Sequence, residues 1–189
     1  PDDADYLCTG TLARARADGA VTGICVMCQG DKGQPDPPIA NLGEVRKEEM
    51  TAAAELLGAE LLWAGHGDGE LVDDPPTRRE LVELFRQFAP TLVLAHSPHD
   101  YHADHRAASA LAEAASWFAT SAGHQTATPP IHPQPAIWWM DTVNMTGFEP
   151  HFHVDISLYV ELKREMLGCH KSQLIRGSGG DFSPLEEQM

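Results

Sequence analysis

A chain of 189 residues, 42% hydrophobic and 22% charged, is long enough for one domain with a real core and has an ordinary globular composition. Its formal charge of −15, from 28 acids against 13 bases, excludes nucleic acid and an anionic membrane surface as partners, because both need basic patches. A neutral or cationic small molecule suits that charge better.

No apolar run approaches the roughly 20 residues of a membrane span. Cys8, Cys25, Cys28 and Cys169 form no disulfide framework, which points to a reducing cytoplasm.

In chain order, residues 5–18 read as a helix, with good formers from Leu12 to Arg16 and Gly19 as its stop. Residues 20–28 (AVTGICVMC) are β-rich and nearly all apolar, the pattern of a strand buried on both faces. A loop with glycine and proline clusters runs from Gln29 to Leu42. The second helix, 43–57, carries Val45, Ala52, Ala53, Leu56 and Leu57 on one face and stops at Gly58. A short strand over 60–64, a third helix over 76–88 and a buried strand over 91–95 follow. Then come an alanine-rich helix over 104–120, a polar loop over 121–135, candidate strands over 136–140 and 152–154, a last helix over 156–170, and a glycine-rich tail from Arg176. Strands alternating with helices imply βαβ units and a parallel sheet, which binds ligands at the carboxyl ends of its strands. Nothing argues for a second domain, so 1–189 reads as one.

Two stretches carry chemistry. His99-Asp100-Tyr101-His102-Ala103-Asp104-His105 packs three histidines and two aspartates into seven positions after a predicted strand. Imidazole and carboxylate are the ligands of catalytic zinc. The plain alternative is a polar helix cap, with Asp104 capping and the histidines solvated. Asp2-Asp3 opens the first helix, where acids also simply meet the helix dipole. Adjacent carboxylates point in different directions, so one can hold a metal while the other takes a proton.

Other motifs are weaker. Cys25 and Cys28 lie three apart on a strand and so face opposite sides, which suits core cysteines better than a chelate. Gly30-Asp31-Lys32-Gly33 has neither the dinucleotide nor the P-loop pattern and reads as a turn near the site. Arg46 can reach a substrate oxygen or sit in a solvated salt bridge with Glu49. His66, His96 and His99 are loop histidines with little claim as ligands, and Ser172 lacks the context of a nucleophile.

Together these residues resemble the PIG-L/LmbE family of zinc-dependent N-deacetylases. That family carries a strand ending in A-H-P-D-D-x-[ED] and a later H-x-D-H. Pro1-Asp2-Asp3-Ala4-Asp5 matches the first motif from its proline onward, and His102 to His105 matches the second. Gly30 to Gly33, Leu42 to Glu49, Leu56 to Ala59, Val154 to Ile156 and His170-Lys171-Ser172-Gln173 extend the likeness along nearly the whole chain.

The resemblance implies a Rossmann-like α/β fold, with a parallel sheet flanked by helices. It implies zinc, with iron(II) able to use the same ligand set, held by Asp3, His105 and a histidine expected just before Pro1. That histidine and the strand ahead of it would lie upstream of this sequence, which therefore reads as truncated at its N-terminus, with its C-terminal completeness open. Asp2 would be the general base. His102 would stabilise the oxyanion or protonate the leaving amine, Asp104 would orient His102, and Arg46 would contact substrate. The implied reaction removes an N-acetyl group from an N-acetylglucosamine-type sugar or conjugate. Two other readings stand beside it: an amidase acting on a thiol-sugar conjugate, and a non-catalytic binding domain without metal. The oligomeric state stays open, a homo-oligomer included.

Overall fold

The computed structural model describes residues 1–174, so the tail expected from Arg176 lies outside them. Its helices are α1 (Asp3–Leu7), α2 (Thr9–Ala17), α3 (Leu42–Leu57), α4 (Pro75–Phe88), α5 (Ala103–Phe118), α6 (Val160–Leu167) and α7 (Lys171–Leu174). Its strands are β1 (Gly23–Cys28), β2 (Glu60–His66), β3 (Leu92–Ala95) and β4 (Ala136–Trp139). Both sheets are parallel pairs, β1 with β2 and β3 with β4. The backbone clusters into two units, one made of Pro1–Asp68 with the chain from Phe152, the other of Gly69–His151.

In the first unit, the single helix predicted over 5–18 is broken at Cys8, which sits at φ −130°, ψ −2° between α1 and α2. The Thr9 hydroxyl explains the break: it lies 3.2 Å from the Ala4 carbonyl and 3.1 Å from Asp5 Oδ1. A side chain thus competes there with the regular backbone ladder. Strand β1 is not buried on both faces. Ile24 and Val26 are buried, whereas Gly23, Cys25 and Met27 are half-buried, the alternation of a strand packed on one side. Helix α3 connects β1 to β2 and ends at Gly58, whose φ of 69° is where glycine is favoured. Met50, Ala53, Ala54 and Leu57 of α3 form the core with Ala13, Ile24, Val26 and Met166.

The strand expected over 152–154 is absent among the described residues, and the helix expected over 156–170 is shorter. Asp155 is the reason. Its carboxylate accepts from the Ser157 amide at 3.0 Å and hydroxyl at 2.6 Å, folding the chain into a 3-10 turn over Ser157–Tyr159 before α6. Those bonds hold the Asp155 carboxyl below its usual range.

In the second unit, Asp74 starts α4 by accepting from the Thr77 amide at 2.9 Å, with prolines in the first turn. Helix α4 packs on α5, with Leu81, Val82 and Phe85 of one and Leu111, Ala112 and Ala115 of the other buried. Strand β3, expected to be buried, is half-covered: Leu92 is exposed and Ala95 buried. The polar loop after α5 is tied to α4. Arg86 donates to the carbonyls of Phe118, Ala119, Ser121 and Thr128, and Glu83 accepts from Thr128. Among the described residues no helix is long and apolar enough to cross a membrane.

Candidate active site

Strand β3 delivers the chain at Ala95 into the histidine-rich loop, and α5 takes it away from Ala103. The loop turns on itself at Ser97, whose carbonyl accepts from the Asp100 amide at 3.2 Å. This carries the Asp100 carboxylate into a fully buried position. Its Oδ1 accepts from the His102 amide at 2.9 Å and lies 3.1 Å from Nδ1 of His105. Its Oδ2 lies 3.9 Å from Nδ1 of His96.

His96, Asp100 and His105 offer ligand atoms within 4.8 Å of one another, and two imidazoles with a carboxylate have the chemistry to hold a divalent metal. His96 and His105 stack with centroids 4.0 Å apart and planes 9° from parallel. Either ring of this stacked pair, with the Asp100 carboxylate, could help to hold a divalent ion.

His102, rather than Asp104, caps α5. Its Nδ1 accepts from the Asp104 amide at 3.2 Å. That bond assigns the proton of the neutral ring to Nε2, and the side chain is exposed, so His102 offers a hydrogen-bond donor to a ligand. The Asp104 carboxylate is buried and accepts from the Gly69 amide at 2.7 Å. What meets His102 is thus the backbone amide of Asp104. The alternative of solvated histidines fails at His105, which is only 9% exposed.

In the first unit, Asp2 precedes α1 and Asp3 is its first residue, both half-buried. Oδ1 of Asp2 accepts from Nε2 of Gln173 in a short hydrogen bond, and Oε1 of Gln173 accepts from Arg46 Nη2 at 3.1 Å. Arg46 is not solvated: it is 4% exposed and spends its donors on the carbonyls of Gly30 (2.5 Å) and Gly33 (2.8 Å) as well. The Gly30–Gly33 turn is therefore a clasp for a guanidinium. A Cβ at Gly30 would meet Arg46 Nη1 at 2.6 Å, and its φ of 75° also favours glycine. Deeper in this unit, Asp5 Oδ2 and His170 Nε2 lie 2.6 Å apart with both side chains fully buried. Beside them the Cys8 thiol is pushed up to about 12 by burial and by the Asp5 carboxylate, against the opposing pull of Lys163.

Cys25 and Cys28 form no disulfide and are half-buried on β1, so they are not the buried core cysteines expected. Asp100, Asp5, Glu49 and Gln173 were not marked as site residues by the sequence, and His96 was marked as a weak one. For His96 and Asp100 a signal existed, since both follow the end of a predicted strand close to His105. His170 and Gln173 belong to a tetrapeptide that resembles the family's, and its spacing names no partner for either.

The profile of the PIG-L family, GlcNAc-PI de-N-acetylase, matches residues 1–116, more than half of the chain. The chain belongs to this family. Both the Asp2-Asp3 pair and the His102–His105 motif fall inside the match. Diacetylchitobiose deacetylase of Thermococcus kodakarensis is 29% identical over 185 residues, covering 92% of this chain and 67% of that protein. The 4-oxalmesaconate hydratase of Pseudomonas putida is 28% identical over 152 residues, covering 70% of this chain and 59% of that protein. The chain thus spans about two thirds or less of the length of these relatives. Among solved structures, N,N'-diacetylchitobiose deacetylase from Pyrococcus horikoshii, in complex with an inhibitor, superposes with a TM-score of 0.82 at 26% identity, over 92% of this chain and 67% of that one. The family thus confirms the α/β architecture expected from the resemblance.

Proposed function

We propose that this chain carries the machinery of a metal-dependent N-deacetylase that removes the acetyl group from an N-acetylglucosamine-type sugar or conjugate. The observation that carries this reading is the family match across Asp2-Asp3 and His102–His105. The likeness to diacetylchitobiose deacetylases supports the substrate class. The proposed metal ligands are Asp3 and His105, with zinc, or iron(II) in the same set, as the ion. The buried His105 supports a ligand role, because a fully buried carboxylate, Asp100, lies 3.1 Å from its ring. Bound there, the ion would polarise the acyl carbonyl and acidify the attacking water.

The chain's own residues supply the rest. Asp2 takes a proton from the water as it attacks the acetyl carbon. The exposed Nε2–H of His102 hydrogen-bonds the oxygen on which negative charge develops, and it is already aimed because Nδ1 is held by the Asp104 amide. That geometry favours oxyanion stabilisation over proton delivery by His102. The proton held by Asp2 then passes to the departing amine, leaving acetate and a free amino sugar. Arg46, expected to contact substrate, is 4% exposed with its donors on Gly30, Gly33 and Gln173, so the role we propose for it is to hold that turn and Gln173 in place. No disulfide joins the four cysteines, which fits a reducing compartment, for which we propose the cytoplasm.

The test is acetate release from N,N'-diacetylchitobiose by the zinc-loaded protein. Asp2→Asn should retain metal and lose turnover, and His105→Ala should lose metal. Unchanged turnover in Asp2→Asn would overturn the mechanism. A hydratase reading has the Pseudomonas putida relative in its favour, since hydration also needs an activated water. Water addition to 4-oxalmesaconate, without acetate release, would select it. Release of a thiol-bearing product from a thiol-sugar conjugate alone would select the amidase, and a folded protein taking up no metal from excess zinc would select the binding domain.

A further inference from the structure

Two carboxylates at the start of the chain, Asp2 and Asp5, are three residues apart. They are gripped by two residues near the other end, Gln173 and His170, that are also three residues apart. We infer that the 170–173 segment is a positioning clamp on α1, and that Gln173 orients the Asp2 carboxylate for proton abstraction. The inference rests on the reading of Asp2 as the general base.

The amide of Gln173 has one permitted orientation. Arg46 carries only donors and an ionised Asp2 only acceptors, so Oε1 must face the guanidinium and Nε2 must face the carboxylate. Flipping the amide would set donor against donor and acceptor against acceptor. Gln173 is 7% exposed, and its neighbour is anchored as firmly. The Ser172 amide and hydroxyl each donate to Glu49 at 2.7 Å. Glu49 and Arg46 lie three apart on α3, so one helical face holds both ends of the Ser172-Gln173 step. Arg46 is itself fixed by the carbonyls of Gly30 and Gly33. The chain of contacts therefore runs from the glycine turn through Arg46 and Gln173 to one oxygen of Asp2. A carboxylate pinned by one oxygen presents the other in a single direction, which is what a base needs to meet a water at a defined angle. The buried His170–Asp5 contact, one turn along α1, keeps the clamp in register.

Gln173→Glu isolates this role, because it preserves an acceptor for Arg46 while turning an acceptor toward Asp2. In the zinc-loaded chain acting on N,N'-diacetylchitobiose, kcat should fall about 10–100-fold, the scale of a misaligned catalytic group. KM should stay within about twofold and zinc content should be unchanged, while the melting temperature falls because two buried acceptors then face each other. In an Asp2→Asn background the same substitution should change kcat no further, since Gln173 acts through Asp2. Gln173→Leu, which keeps neither contact, should fall at least as far in kcat. A second readout needs no turnover. In the metal-free, 15N-labelled chain, the side-chain amide protons of Gln173 should shift when Asp2 is replaced by alanine. No shift, or full kcat in Gln173→Glu beside an inactive Asp2→Asn, overturns the clamp and leaves the general base standing. Full turnover in Asp2→Asn is a different failure: it removes the base itself, and the clamp's purpose with it.

Discussion

Oδ1 of Asp100 lies 3.1 Å from Nδ1 of His105, with the carboxylate fully buried. At that distance a buried negative charge lies against the ring, where it would favour a cation held by His105. Asp100→Asn keeps the shape and removes the charge. It should weaken zinc binding by about 10–100-fold, the usual effect of losing such a partner. Competition titration against a chelator measures this, and unchanged affinity would reduce Asp100 to a turn-forming residue.

His102 has two jobs that substitutions can separate. His102→Ala removes both the proposed oxyanion donor and the α5 cap, so it should lower kcat by about 10²–10³ and stability by about 0.5–2 kcal/mol. Asparagine at this position can still accept from the Asp104 amide. His102→Asn should therefore regain much of the stability in thermal melts without regaining the rate.

Glu83 ties the loop after α5 to α4, accepting from the Thr128 amide at 3.0 Å and hydroxyl at 2.7 Å. These bonds pull its carboxyl from an ordinary 4.5 down to about 2. The folded value is depressed, so the contribution is complete above the ordinary value and disappears as pH falls through the folded one. Melting temperatures of wild type and Glu83→Gln should differ by a constant amount at neutral pH. They should converge between pH 4.5 and about 2. A constant difference down to pH 2 would remove the titration of Glu83 as its cause.

Met50, at 0% exposure, stands at the centre of the first unit's core. Met50→Ala should cost about 2–5 kcal/mol, from lost burial plus the cavity left behind. A lower urea midpoint with an unchanged slope is the expected result. A loss under 1 kcal/mol would mean the site refills by repacking.

Much of this was legible along the chain because its determinants are local. Gly58 ends α3 where a left-handed residue is needed, and proline at 75 and 76 after Asp74 starts α4 within a residue of expectation. Asp2-Asp3 and His102-Ala103-Asp104-His105 identify the family because their spacing is read within one helical turn. Even local readings failed where a side chain competed with the backbone: Thr9 broke the first helix, and Asp155 turned the start of the predicted last helix into a 3-10 turn. The partners of the buried polar residues Asp5, His170 and Gln173 were decided by tertiary structure alone. Nothing in sequence spacing ties His170 to Asp5 across 165 residues, or Gln173 to Asp2 across 171. Periodicity reports which face of an element is apolar, over a few residues at a time. A buried polar group takes whichever partner packing brings within about 3 Å, so its identity is set only when the chain has folded.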